Sequence, residues 1–307
     1  MAQRAEWCPG MAKRPVDGMI AVPPEFRASP AAPGVPLAEL GEGPCWDPGR
    51  QCLYWVDIPA GIVHQLAGDE HAAWQAGQPV GAVAVRAQGG LILAARDGFL
   101  ALDLDTGRVS VIAEVETDRP GNRMNDAACD RAGRMFAGTK AEDDTPGAGA
   151  LYRLDPDHRL TTVLTGVTVS NGIGWNADES LMYYVDSPTG RVDVLDYDPL
   201  TGSSGNRRPF AELPSGQAMP DGLTVDADGG VWVALWDGGT VVRYDLNGHI
   251  SAAVTLPVAR PTSCAFGGVG LDVLYITTAA GSAPASGGGL FSCRPGFTGL
   301  PANPYRG

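Results

Sequence analysis

Little in this chain suits a membrane, a nucleic acid or a histidine-rich metal site. No apolar run reaches the ~18 residues a spanning helix requires, so no membrane span is read in the 307 residues. Basic residues are few: 22 Lys and Arg against 35 Asp and Glu leave a net charge of -13. A clustered basic surface is therefore missing, which disfavours a nucleic-acid partner, and the acidity is read as a solubility feature. The six cysteines include no CxxC pair and fall mostly in apolar segments. Buried free thiols are expected rather than disulfides, as suits a reducing cytosol. Cys8 is the cysteine expected to be exposed. Only four histidines occur, His64, His71, His158 and His249. They fall in outer strands or turns by register and are expected at the surface, which disfavours ester hydrolysis through a histidine pair. Residues 1–34 lack a basic start followed by an apolar core and a cleavage site, so a cytoplasmic protein is expected.

What is abundant is turn chemistry. The 42 glycines and 25 prolines sit among short apolar segments, a composition for many short strands rather than long helices. One phrase returns six times: EGPCWDPGRQCLYWVD from Glu42, VGAVAVRAQGGLILAA from Val80, NDAACDRAGRMFAGTK from Asn125, NGIGWNADESLMYYVD from Asn171, DGLTVDADGGVWVALW from Asp221 and TSCAFGGVGLDVLYIT from Thr262. Each unit reads as a small-residue strand, a tight turn and an apolar strand, at a period of roughly 40 to 50 residues. Six such units predict an all-β fold, a six-bladed β-propeller of four-stranded antiparallel blades around a central channel. The propeller is assigned to residues 35–307 and residues 1–34 to an N-terminal extension, loose or draped on the body. Val35 to Leu40 is expected to supply the strand that closes the last blade, which would remove an open edge.

The repeated aspartates of the turns at Asp47, Asp130 and Asp226 are read as structural, since Asp and Gly suit tight connections. The first position of each phrase does not repeat. It holds Glu42, Val80, Asn125, Asn171, Asp221 and Thr262, five oxygen-bearing side chains at a position that a propeller turns toward its axis. Two carboxylates, two carboxamides and a hydroxyl form an all-oxygen set for one divalent cation: Ca²⁺, Mg²⁺ or Mn²⁺, with Zn²⁺ or Fe²⁺ accepted where waters complete the shell. Burying two like charges together is costly without a cation or a shared proton. The loop from Thr117 delivers Arg123 to the mouth, and Glu142 to Gly149 interrupts the third blade with three acids, on the kind of loop where binding groups gather.

The motifs GEGP with Glu42, RMND with Arg123 and Asn125, AGTKAED leading to Asp143, SNGIGW with Asn171, MPDGL with Asp221, PTSCAFGG and the final NPYRG together resemble the SMP-30/gluconolactonase family. The resemblance runs from about Val35 to Gly307. It implies a six-bladed propeller that binds one divalent cation and hydrolyses sugar lactones, with Glu42, Asn171 and Asp221 as metal ligands and Asp221 also as candidate general base. Arg123 and Asn125 would contact the substrate, joined by Glu142 or Asp143. The cation would polarise the lactone carbonyl and activate a water. A related metal-dependent ester or phosphoester hydrolase and a non-catalytic calcium-binding propeller are the competing readings. A monomer or weak homo-oligomer is expected.

Overall fold

In the computed structural model, residues 24–32, 34–213, 218–281 and 287–307 are described. Cys8, most of the N-terminal extension and the middle of the Gly281 to Gly289 connector lie outside them. Six separate sheets follow one another along the chain and enclose a central channel, as the repeat implies. Their inner strands are Gly41–Asp47, Val80–Val85, Asn122–Cys129, Ser170–Trp175, Met219–Val225 and Pro261–Gly267. Second strands such as Cys52–Asp57 and Leu91–Ala95 are buried throughout, whereas an outermost strand such as Glu70–Gln75 is half exposed. Burial on both faces explains why the second strands are unbroken apolar runs instead of alternating ones. The core is divided into clusters between neighbouring blades; Tyr54, Val56, Val80, Leu91 and Leu93, for example, pack together between the first two.

All six inner strands share one irregularity. The register with the second strand shifts just at or after the non-repeating position: between Glu42 and Cys45, Val80 and Ala82, Met124 and Ala127, Ser170 and Ile173, Pro220 and Leu223, and Pro261 and Ser263. A bulge of this kind re-aims a side chain out of the pleat. The glycine that follows the position in four blades has a packing cause. A side chain at Gly81 would collide with the carbonyl of Asn125, one at Gly172 with the backbone of Asp221 and Leu223, and one at Gly222 with Ser263. Adjacent inner strands approach too closely for a Cβ.

Ring closure differs from the expected form. Ser29–Pro30 pairs antiparallel with Phe291–Cys293 and forms the outer edge of the sixth blade. Val35 to Leu40 instead runs inward, making a single bridge from Leu40 to Ala279 before the first blade begins. Glu25–Arg27 adds a parallel fifth strand to the fifth blade, so the part of the extension nearest the propeller is built into two sheets. At the other end, the C-terminal tail crosses the ring. Gly299 bridges Asp226, Tyr305 bridges Arg86, and the buried Tyr305 hydroxyl donates to the carbonyl of Asp155 at 3.0 Å.

The turn aspartates are structural, as read. Asp226 accepts from Trp232 Nε1 at 2.8 Å and pairs with Arg243 at 2.6 Å, and Asp130 accepts from the Tyr197 hydroxyl at 2.6 Å and pairs with Arg134. The five described cysteines are free. One surface expectation fails. His64 is 3% exposed, stacked on Trp55 with its Nδ1 3.0 Å from His71 Nε2. The third strand of a blade lies between neighbouring blades, so an inward residue there is buried whatever its polarity.

Candidate functional site

Asn125 and Asn171, two of the six register residues, are joined in one hydrogen-bonded chain that ends beside a third, Asp221. Arg123 Nη1 donates to Asn125 Oδ1 at 2.7 Å, and Asn125 Nδ2 donates to Asn171 Oδ1 at 2.9 Å and to the Ser170 carbonyl at 2.8 Å. Asn171 Nδ2 then donates to Ser187 Oγ at 2.8 Å, whose own hydroxyl donates to the Pro220 carbonyl at 2.6 Å, next to Asp221. This chain ties blades three, four and five around the axis. Arg123, Asn125, Asn171, Asp221 and Glu42 are all buried, between 5 and 7% exposed, so none is a simply solvated wall residue.

The remaining two positions do something else. Val80 is fully buried in the apolar cluster between blades one and two. The Thr262 hydroxyl lies 2.5 Å from the Gly41 carbonyl and 2.9 Å from Thr277 Oγ1, which fastens the last blade to the first. Its oxygen is thus committed to the seam.

The electrostatics are unbalanced. Burial, and then the charges of Asp221 and Asp126, push the Glu42 carboxyl well above the usual carboxylate range. Burial and Asp126 do the same to Asp221. Burial lifts Asp126 itself to about 6. The hydrogen bond from Gly43 N–H to Glu42 Oε2, 3.1 Å, offsets little of this. Among the described residues neither Glu42 nor Asp221 takes part in an ion pair, while Arg123 is engaged by Glu142. Three buried carboxyls around one axis, offset only in part by the committed Arg123 and by Lys140, disfavour one another's ionisation in low dielectric, a cost that a divalent cation would relieve. An all-oxygen set of Glu42, Asp221 and the Asn171 carbonyl fits a hard cation. No cluster of three or more His, Cys, Asp and Glu that could hold a metal occurs among the described residues; the set here contains only two such residues.

The two loop acids separate. Glu142 reaches Arg123 Nε at 3.4 Å and Arg96 at 3.0 Å. Asp143 turns back on its own loop and accepts from Thr145 Oγ1 at 2.7 Å. Arg123 itself stands in the inner strand Asn122–Cys129, not in the preceding loop. Asp126, Ser187 and Lys140 were not singled out by the sequence. Asp126 had a legible signal, since it occupies the place where four of the six phrases carry glycine. Its side chain lines a chamber of about 430 Å³ on the far side of the register ring, floored by Leu300, Pro301 and Asn303 of the tail. None of the predicted site residues lines that chamber.

A family model described as the SMP-30/Gluconolactonase/LRE-like region matches residues 40–280. Regucalcin of Gallus gallus is 38% identical over 284 residues, covering 87% of this chain and 95% of the relative. Regucalcin of Homo sapiens is 39% identical over 247 residues, covering 78% and 83%. A solved structure of a calcium-binding regucalcin from Agrobacterium tumefaciens matches with a TM-score of 0.88 at 27% identity, over 93% of this chain and 100% of the other.

Proposed function

The chain belongs to the SMP-30/gluconolactonase/LRE-like family, and on that premise we propose that it hydrolyses a sugar lactone to the open-chain acid, using a divalent cation held by Glu42, Asn171 and Asp221. The observation that carries this reading is the pair of buried, unpaired carboxylates Glu42 and Asp221 beside a ring of oriented amide groups. Calcium is the first candidate, given the all-oxygen donors and the calcium-binding relative. Bound there, the cation supplies Lewis-acid polarisation of the lactone carbonyl and acidifies a water.

The chain's own groups would do the rest. Asp221 would accept a proton from the attacking water and return it to the ring oxygen as the ester bond breaks. The buried guanidinium of Arg123 and the Asn125 amide direct hydrogen bonds to sugar hydroxyls, and Ser187 holds the Asn171 amide in one rotamer. Glu142 both steadies Arg123 and offers an acceptor at the rim.

The test is turnover, followed by acid release, on a panel of aldonolactones and simple esters. Hydrolysis of at least one lactone, lost with chelator and restored by added cation, is the expected result. Cation binding without turnover of any lactone or ester would leave a calcium-binding propeller as the correct reading.

A further inference from the structure

Of the 22 basic residues only two are lysines, Lys13 and Lys140, and Lys140 is the one on the propeller. It is the penultimate residue of the second strand of blade three, Met135–Ala141, directly opposite Arg123 on the inner strand. Directly opposed residues of an antiparallel pair send their side chains to the same face, so two cations stand side by side there. The backbone of Lys140 also bridges Val169, two residues before Asn171. Arg123 likewise lies two residues before Asn125. Both cations therefore sit one step nearer the mouth than the amide ring.

The two cations are held differently. Arg123 is committed, through Nη1 to the Met124 carbonyl and Asn125 and through Nε to Glu142. The Lys140 side chain is only 13% exposed, yet its ion-pair partner among the described residues is Asp144, 60% exposed on the loop after the strand. A water-exposed partner adds little to stability, so burying this ammonium is poorly explained as a fold requirement. Standing directly opposite Arg123, the residue given above to the substrate, Lys140 lies beside the place a sugar ring would occupy. An ammonium has three donors on a flexible stem, and Asp144 is an easily exchanged partner.

We propose that Lys140 selects lactones that carry a carboxylate at the end of the sugar remote from the lactone carbonyl, that is, monolactones of sugar diacids. The inference rests on the lactonase reading above. A carboxylate matches one ammonium in charge, whereas a phosphate, near two negative charges, would meet Asp144 and Glu142 with too little positive charge to offset it. The reaction balances as an ordinary hydrolysis. The ester C–O bond breaks, the water oxygen bonds the carbonyl carbon, one proton goes to the former ring oxygen, and the new acid releases the other to solvent, leaving a dicarboxylate.

The test compares kcat/KM of the full chain, with its activating cation present, on a neutral aldonolactone, the corresponding diacid monolactone and a phosphorylated aldonolactone. Lys140→Met and Lys140→Arg are measured alongside, with thermal unfolding to establish that each folds. The wild type should prefer the diacid monolactone to the neutral lactone by at least about 10-fold. Lys140→Met should lower that ratio by about 10- to 100-fold, chiefly through KM, as for loss of one charged hydrogen bond, and Lys140→Arg should recover part of it. A wild-type ratio at or below one, or a ratio that Lys140→Met leaves in place, would overturn the inference while the lactonase reading stands. Preference for the phosphorylated lactone would overturn the choice of carboxylate. Turnover of no lactone at all would bring down both.

Discussion

Around the channel axis the decisive groups are Glu42, Asp126 and Asp221, all buried, and the buried guanidinium of Arg123. Their arrangement separates two jobs. In the proposed reading Glu42 and Asp221 hold the cation and Arg123 the substrate. Arg123→Ala should therefore leave cation affinity within a few-fold of wild type while lowering lactone kcat/KM by about 10- to 1000-fold, the range for a lost charged hydrogen bond; calorimetric cation titration beside steady-state kinetics reads both. A second residue-level expectation lies away from the site. Burial and the neighbouring His71 hold the His64 imidazole down, to about 4. The unfolded chain then takes up a proton before the native one as pH falls, so this contribution to stability is present above the unfolded value of about 6.5 and is lost on acidification toward 4. Between about pH 7 and about pH 5 the wild type should lose about 2 kcal/mol more than His64→Gln in denaturant unfolding. An equal loss in both would show that His64 titrates normally.

Among the elements, the inner strands explain why the site was readable and where reading stopped. Glu42, Asn171 and Asp221 were legible because the repeat supplies its own control: five other blades show what the fold needs at the same position. Thr262 carries an oxygen as the others do, but its hydroxyl secures a seam, and composition cannot report which way a hydroxyl points. Ser187 was invisible because it lies outside the repeated phrase, in a 3-10 turn after the second strand of blade four. The closing strand was misplaced for a related reason. Two residues, Ser29–Pro30, leave no periodic signal, and their pairing partner is some 260 positions away. Their removal can be measured. A chain starting at residue 34 loses the outer edge of blade six and the added strand of blade five, including the buried Ala28. It should be less stable than a chain starting at residue 24 by at least about 2 kcal/mol, from apolar burial alone. Equal melting temperatures for the two would show that these strands contribute nothing to the ring.

As a whole, the molecule is a ring closed at both ends of the chain, with the N-terminal segment on the outer edges and the C-terminal tail under the floor. Strand bulges repeated six times turn side chains toward a common axis. The rigid frame fixes the amide ring, and the buried carboxyls at its centre call for a cation. The most direct test is to measure cation occupancy and lactone turnover together, on wild type, Glu42→Gln and Val80→Ala, as cation is titrated into protein shown by elemental analysis to be metal-free. Turnover should rise in proportion to occupancy of one site per chain. Glu42→Gln should need at least about 10-fold more cation for both, having lost a charge at similar volume, while Val80→Ala, which faces the apolar core, keeps the wild-type titration curve. Full turnover in the metal-free protein, or a Glu42→Gln titration that overlays the wild type, would contradict a cation site at the register position.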